Sequence, residues 1–258
     1  GASWKEITPK SLSSWDKISQ LDAGHFNVRT AYASVNAFRK DDLKPHIYKT
    51  TDEGNSWKEI VNGIPDRNPI NAVREDPKQP GLLFAGSETQ VFFSIDDGEN
   101  WQSLRSNMPA TSIRDLVIKD DDLVIGTHGR SIWIMDNISS LREMATALKT
   151  TNAYLSKPAA AIRVRDNILH ETPLPPEEPA GQNPPNGATI DYFLKSNTNS
   201  VTIEIKTADN QLVRKYTDKD PEDKVNFGEA AYPSYWMKPA IKVSTATGHH
   251  RIVWDLKY

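Results

Sequence analysis

The sequence contains no cysteine. This excludes disulfide bonds, cysteine nucleophiles and thiolate metal sites within the chain. No stretch approaches the roughly 18 consecutive apolar residues of a membrane-spanning helix, so no membrane insertion is expected. A signal peptide has a positively charged start followed by an apolar stretch, and the sequence does not show this pattern. The formal net charge of −3 lacks the basic excess of a nucleic-acid-binding protein.

Turn formers and aromatic residues are abundant instead. The chain has 17 prolines, seven tryptophans and eight tyrosines, a composition that suits an all-β protein with many turns. Its 258 residues are enough for two modest domains, each with its own core.

An eight-residue pattern, Ser/Thr-x-Asp-x-Gly-x-x-Trp, occurs twice in full. Residues 50–57 read TTDEGNSW, residues 94–101 read SIDDGENW, and the opening GASW matches the last four positions. In such a turn the Asp accepts backbone N–H bonds, the Gly tolerates positive φ, and the Trp begins the next strand. The pattern therefore predicts structural roles in strand–turn–strand units for Thr50, Asp52, Gly54, Trp57, Ser94, Asp96, Gly98 and Trp101.

The intervals between these tryptophans suit propeller blades. Trp4 and Trp57 are 53 residues apart, and Trp57 and Trp101 are 44 apart, each enough for one four-stranded blade. A third unit without the turn pattern follows. Residues 1–137 are thus predicted to form the last blades, about three, of a partial β-propeller. The alternative, that WKEIT at residues 4–8 closes the third unit, implies a strained three-bladed ring.

Different patterns follow the predicted propeller. Residues 138–150 have helical spacing, and residues 171–187 are rich in proline and acidic residues, so 138–187 is predicted to be a helix and a linker. Alternating apolar runs return in 188–258, which is predicted to form a second β-domain, a sandwich.

Two family resemblances rest on these residues. HIYKTTDEGNSWKEIVNGIP, VREDPKQPGLLFAGSE and LVIGTHGRSIWIMD resemble the sortilin-like Asp-box propellers of bacteria, also called bacterial neuraminidase repeat proteins and often labelled glycosyl hydrolases. VTIEI, LVRKY and GHHRIVWDLKY resemble the Ig-like sandwich of flagellar hook-capping proteins, here without its last hairpin.

These resemblances imply a fragment of a larger bacterial protein, secreted or periplasmic, with no cofactor. The eukaryotic receptor role of sortilins is not implied, because no cysteine-rich module follows the propeller. Open propeller edges expose unpaired strand N–H and C=O groups. Association with the remaining blades or with another copy of the chain is therefore predicted, with a glycan or a protein as the possible ligand.

Carboxylates are the first candidates for chemistry, because a glycosidase needs two of them about 5–10 Å apart. Glu75, Asp76 and Glu88 are the catalytic candidates, and Arg74 is a candidate for bidentate binding of a ligand. The competing interpretation is that Asp76 initiates a turn and Glu75 is solvated.

Further binding candidates lie in THGRS and AYPSYWMKP. His128 and Arg130 flank a hairpin glycine. His128 would act as a general base, or Arg130 would bind an acidic ligand. Tyr235 and Trp236 would stack on a carbohydrate. The alternatives are that Gly129 simply makes the turn, and that the aromatic loop packs on the sandwich core. Adjacent strand residues such as His249 and His250 point to opposite faces, so no metal site is predicted.

Three functions compete at this point. The leading hypothesis is a non-catalytic recognition module for a glycan or protein, because no complete catalytic set is present. The alternative is part of a glycoside hydrolase whose active site is shared with missing N-terminal blades. A third hypothesis is a structural scaffold in an exported complex.

Overall fold

A computed structural model of the protein describes residues 3–163, 177, 181, 183–221 and 241–257. It divides into two compact units, Gly1–Ala145 and Thr146–Tyr258. The three-part organisation given by the sequence patterns remains a prediction.

The first unit contains two four-stranded antiparallel sheets, which we call blades 1 and 2. Each is a meander in which consecutive strands pair along the chain. Blade 1 consists of β1 Lys17–Ala23, β2 Ala31–Asn36, β3 His46–Thr50 and β4 Lys58–Glu59, with a 3₁₀ turn at Phe38–Lys40. Blade 2 consists of β5 Ile70–Glu75, β6 Leu83–Ser87, β7 Val91–Ser94 and β8 Gln102–Ser103.

A third sheet, blade 3, has only three strands among the described residues. They are β9 Ile113–Lys119, β10 Asp122–Thr127 and β11 Ile132–Met135, paired in chain order. Two short helices follow, α1 Ser139–Arg142 and α2 Met144–Ala147. The predicted helical segment is therefore broken into two single turns.

Apolar side chains of neighbouring blades share two buried clusters. Tyr32 and Ile47 of blade 1 are buried with Val73, Leu83 and Phe92 of blade 2. The opposite face of blade 2 is buried against blade 3, in a cluster that includes Phe84, Phe93, Ile113, Leu116, Leu123 and Ile138. Successive strand residues point to opposite faces, so the middle blade contributes to both clusters.

The second unit contains two small sheets over one core. Its strands are β12 Ala153–Leu155, β13 Ala188–Leu194, β14 Thr202–Lys206, β15 Leu212–Thr217 and β16 Gly248–Trp254. The sheet orders are β12-β13-β16 and β14-β15. Ile190 and Ile252 of one sheet and Ile203 and Tyr216 of the other are buried in a common cluster. This is the two-layer arrangement of a sandwich, and the Ig-like assignment remains a prediction.

The chain is thus all-β, with a partial β-propeller of about three blades, as predicted. One strand was not anticipated: β12 lies in the stretch assigned to helix and linker, where it pairs with β13 through Tyr154 and Phe193. None of the helices in the described part of the chain is long and apolar enough to cross a membrane.

Candidate functional site

The two repeated turns, residues 50–57 and 94–101, have the same internal hydrogen bonds. Thr50 Oγ1 accepts a bond from the Gly54 N–H and donates to Asp52 Oδ1, both at 2.9 Å. The Asp52 carboxylate also accepts the Ser56 N–H at 2.9 Å. Hydrogen bonds from Ser56, with that from Thr50, lower the pKa of Asp52 to about 2.

The second turn repeats this network position by position. Ser94 Oγ accepts the Gly98 N–H at 2.9 Å and donates to Asp96 Oδ1 at 2.7 Å, and Asp96 Oδ1 accepts the Asn100 N–H at 2.8 Å. The Asp52 and Asp96 carboxylates thus accept hydrogen bonds within their own turns.

Each turn also contacts the segment WKEI of the repeat that precedes it in the chain. Trp57 Nε1 donates to Ile7 O at 2.7 Å, and Trp101 Nε1 donates to Ile60 O at 2.8 Å. The turn glycines Gly54 and Gly98 have positive φ, 82° and 87°. A Cβ at Gly54 would overlap the Ile7 side chain, and a Cβ at Gly98 would overlap the Ile60 side chain. Sequence reasoning missed this contact, although the tetrapeptide WKEI occurs at both 4–7 and 57–60.

Polar side chains connect the first strands of the three blades. Arg74 on β5 donates from Nη1 to Asp22 on β1 at 3.0 Å, and from Nη2 to Asp115 on β9 at 3.2 Å. Its Nε donates to Leu116 O at 2.8 Å. Gln20 on β1 reaches the same Asp115 oxygen at 2.7 Å. This network, which we call the inner-strand network, joins side chains from three blades.

Much of this network provides hydrogen-bond partners for backbone groups at the unpaired, buried edge of β5. Gln20 Oε1 accepts the Val73 N–H at 3.0 Å, Asp22 Oδ2 accepts the Glu75 N–H at 2.8 Å, and Ser19 Oγ donates to Ile70 O at 3.2 Å. Such bonds occupy the backbone groups that would otherwise pair with another strand. Arg74, the residue predicted to bind a ligand bidentately, therefore already bridges two carboxylates of its own chain, with one hydrogen bond to each.

Glu75 is buried at the end of β5. Its carboxylate accepts the His25 N–H at 2.6 Å and lies 3.4 Å from the Tyr32 hydroxyl, which donates to Asp97 at 2.8 Å. Lys49 pairs with the other Asp97 oxygen. Burial, assisted by bonding to Asp97, raises the pKa of Tyr32 well above its usual value. Tyr32 therefore remains a neutral donor.

Asp76 is fully buried and serves two structural functions. Its Oδ1 accepts the N–H groups of Lys78 and Gln79, at 2.8 and 2.7 Å, which makes the turn that the sequence suggested. Arg142 of α1 also donates to both Asp76 oxygens, at 3.1 and 3.0 Å, and pairs with Asp121. This ion pair fixes α1 against blades 2 and 3.

Glu88 lies at the other end of blade 2. It accepts a hydrogen bond from Asn71 Nδ2 at 3.0 Å and forms an ion pair with Arg114 Nη1 at 3.2 Å, and its N–H donates to Pro69 O. Because β5 extends between these ends at ~3.3 Å per residue, the Cα atoms of Glu75 and Glu88 are roughly 20 Å apart. The three carboxylates do not meet across a common cleft.

His128 and Arg130 are exposed in the hairpin between β10 and β11. The Arg130 N–H donates to Thr127 Oγ1 at 3.1 Å, and the His128 N–H donates to Ser112 O at 2.8 Å. Gly129 takes a φ of 82° with open space around its α-carbon. The backbone is thus used for the turn, and both side chains extend from the same end of blade 3 as Arg114.

The remaining candidates lie elsewhere. Tyr235 and Trp236 fall outside the described residues. Tyr192, a further aromatic residue of the second unit, is buried; its hydroxyl exchanges hydrogen bonds with Ser244 O and N at 2.9 and 2.7 Å. Among the described residues, no group of three or more His, Asp and Glu side chains is placed to hold a metal ion.

Comparisons with known proteins find similar solved structures, three of which have low sequence identities to this chain. No protein-family model matches the chain, and no curated protein matches it. The GH74 xyloglucanase from Xanthomonas campestris is 21% identical over 53% of this chain and 22% of its own, with a TM-score of 0.41. The GH74 enzyme from Niastella koreensis is 19% identical over 46% and 21%, with a TM-score of 0.38.

YCF48, in a structure with D1 peptide, is 12% identical over 79% of this chain and 53% of its own, with a TM-score of 0.35. The chain thus spans about a fifth of the length of the two GH74 enzymes and about half of YCF48. Similarity at this level assigns the chain no family, substrate or partner.

Proposed function

We propose that this chain is a non-catalytic recognition module built from Asp-box propeller blades, with a glycan as its first candidate ligand and a protein as its second. The observation that carries the proposal is the placement of the three candidate carboxylates. Glu75 caps the His25 backbone, Asp76 is paired with Arg142, and Glu88 lies at the far end of the blade. Each of the three carboxylates is thus engaged within the chain, and Glu75 and Glu88 lie at opposite ends of β5.

The Asp-box assignment is supported by both repeated turns. In each turn the Ser or Thr, the Asp and the Gly form one hydrogen-bond network. The Trp indole then donates to a backbone carbonyl of the preceding repeat. These residues determine architecture rather than reactivity. The proposal also places the protein outside the cytoplasm of a bacterium, which fractionation of source cells tests.

The surface proposed for ligand binding is the end of blade 3, where Arg114, His128 and Arg130 lie. Arg130 and His128 have exposed side chains, and Arg114 is about half exposed beside Glu88. Guanidinium groups donate hydrogen bonds in a planar fork that matches carboxylates and paired hydroxyls. A ligand with uronic acid or vicinal hydroxyl groups, or an acidic peptide segment, fits this chemistry.

The decisive experiment measures binding and turnover on the same full-length preparation. The protein is titrated against an array of neutral and acidic glycans, including xyloglucan, and each bound glycan is incubated with excess protein and analysed for new reducing ends. We expect binding without turnover. Robust hydrolysis would favour the glycoside hydrolase alternative.

Variants then locate the surface. Arg130→Ala should weaken binding by roughly 10- to 150-fold, because a charge-assisted hydrogen bond is worth roughly 1.5–3 kcal/mol. Arg39→Ala, an exposed arginine in the corresponding connection of blade 1, is the matched control and should bind normally. If hydrolysis is found instead, Glu88→Gln tests the partly exposed carboxylate, and unchanged turnover would remove it from the active site.

A further inference from the structure

Glu88 and Arg114 form an ion pair in which both side chains keep unused hydrogen-bonding groups. Arg114 Nη1 lies 3.2 Å from Glu88 Oε1, and the two side chains are 49% and 29% exposed. Asn71 Nδ2 donates to the same Oε1 atom at 3.0 Å. Within the described ranges, Glu88 Oε2 and the Nε and Nη2 groups of Arg114 have no hydrogen-bond partner. The pair therefore offers a free acceptor beside free donors.

A buried amide fixes the orientation of the Glu88 carboxylate. Asn71 is 7% exposed, and its Nδ2 also donates to Ile113 O at 3.0 Å. Because a carbonyl oxygen only accepts, the Asn71 nitrogen must lie on this side, where it also donates to Glu88. Its Oδ1 accepts a bond from Asn36 Nδ2 at 2.8 Å. The protein thus holds the Oε1 atom of Glu88 and leaves the Oε2 atom available to a ligand.

Backbone hydrogen bonds place this ion pair beside the rest of the surface proposed for ligand binding. The Thr111 N–H donates to Thr89 O at 3.1 Å, in the residue that follows Glu88. The His128 N–H donates to Ser112 O at 2.8 Å. The loop of Glu88 and the hairpin of His128 therefore contact two adjacent residues of one connection. Glu88 adds a carboxylate to a surface on which two arginines lie.

The unused groups of the ion pair fit hydroxyls better than carboxylates. A hydroxyl group can donate and accept, whereas an ionised carboxylate can only accept. Two vicinal hydroxyls of a sugar can therefore donate to Glu88 Oε2 and accept from Arg114 at the same time. The carboxylate of a uronic acid would accept from Arg114 only with its negative charge next to that of Glu88. Contact between like charges disfavours such a ligand.

We propose that Glu88 is a specificity-determining residue that selects neutral, diol-bearing glycans over acidic ones. This inference rests on the proposed function and narrows its ligand to one chemical class. Arg114 supplies donors to the sugar hydroxyls, and Glu88 supplies both an acceptor and a repulsive charge. Specificity commonly combines an attractive contact to the preferred ligand with a repulsive contact to its competitor.

Oligosaccharides that differ only at C6 test this selectivity. Mannan and mannuronan oligosaccharides of equal length share linkage and ring stereochemistry, and they carry a hydroxymethyl or a carboxylate group at C6. Cellulose and glucuronan oligosaccharides form a second pair. Dissociation constants are measured by calorimetry at one ionic strength. We expect the wild type to bind the neutral member of at least one pair about tenfold more tightly, which corresponds to about 1.4 kcal/mol.

Glu88→Gln removes the charge and keeps the shape of the side chain. It should weaken binding of the neutral member and strengthen binding of the acidic member, so that the roughly tenfold preference is lost. Arg114→Gln makes the opposite charge change. It should weaken both members, and the acidic one more, because Glu88 then repels an anion without a neighbouring guanidinium group.

The matched control is Glu99→Gln, at the other end of β7. It makes the same charge change in the same blade, on a side chain that is 61% exposed and paired with Lys58. The preference should stay at the wild-type value. Circular dichroism verifies the fold of each variant, and the wild-type preference is a test that needs no variant.

Several results would overturn the inference while glycan recognition stands. They are a wild type that prefers the acidic members, a preference that Glu88→Gln leaves unchanged, and an equal change in Glu99→Gln, which would indicate net charge. Failure to bind either pair also overturns it. Binding of another glycan from the array would then preserve the proposed function, and failure of the whole array would overturn both.

Discussion

Trp101 Nε1 donates a 2.8 Å hydrogen bond to the carbonyl oxygen of Ile60, which belongs to the preceding blade. The same bond joins Trp57 to Ile7 at 2.7 Å. The buried indole N–H of Trp101 requires a partner, and in both turns that partner is the last backbone carbonyl of WKEI. The tryptophan that ends each repeated turn is therefore the link from one blade to the next.

Trp101→Phe removes this link and should destabilise the protein. The side chain is 3% exposed, so the Ile60 carbonyl would lose its donor in a buried site. We expect a loss of about 2–3 kcal/mol from an unsatisfied acceptor and a smaller ring. Urea unfolding followed by circular dichroism measures it.

Trp57→Phe is the matched control for this prediction. Trp57 is only partly buried, so water can replace its bond to Ile7. Its loss should be no more than about 1 kcal/mol. Equal losses for the two variants would contradict burial as the source of the effect.

Gly98→Ala should destabilise more than Gly129→Ala. Both glycines have a φ above 80°, so both substitutions incur the backbone cost of roughly 1–2 kcal/mol. A Cβ at Gly98 would also overlap Ile60, whereas nothing lies within 4 Å of one at Gly129. Overpacking of this kind adds about 1–3 kcal/mol. Identical urea midpoints for the two variants would show that the turn does not pack against the preceding blade.

Asp76→Ala should be among the most damaging single changes in the first unit. The carboxylate is fully buried, and its removal leaves Arg142 with the Asp121 carboxylate and the Asp120 carbonyl oxygen. Removing one partner of a buried ion pair costs about 3–5 kcal/mol. Asp121→Ala, whose side chain is 37% exposed, is the control and should cost no more than about 1 kcal/mol. A wild-type-like melting temperature for Asp76→Ala would instead show that the Asp76 carboxylate is not needed for stability, so that a catalytic role would have to be considered.

The second unit should lose stability on acidification through Asp191. Burial raises the pKa of this carboxyl, but bonds from His249 and Arg251 outweigh it and hold the pKa below 3.8. A depressed native pKa stabilises the folded state above the unfolded pKa, and this stabilisation is lost as pH falls through the native value.

Asp191→Asn should therefore be less stable than the wild type at pH 7, and the difference should shrink as the pH falls below the unfolded-state pKa of about 4. Urea midpoints at a series of pH values measure this difference. A difference that stays constant on acidification would show that Asp191 does not titrate with folding.

Much of the fold could be predicted because local signals determine it. Period-two alternation and the Asp-Gly turns located the strands of the three blades, since each strand pairs with its neighbour along the chain. β12 escaped detection because three residues, Ala153–Leu155, are too few to show a period before the proline-rich stretch.

The roles of the candidate residues were less predictable because their partners are remote in sequence. Asp76 meets Arg142 across 66 residues, and Arg74 meets Asp115 across 41. Neither separation leaves a local pattern. The identical WKEI segments were the one available signal for the contact between blades.

Titration of one protein preparation against neutral and acidic glycans, followed by analysis for new reducing ends, tests the central claim of recognition without catalysis most directly. We expect saturable binding of a glycan and no new reducing ends, because Glu75, Asp76 and Glu88 are each held by a hydrogen bond or an ion pair within the chain. Robust hydrolysis of a bound glycan would contradict this claim.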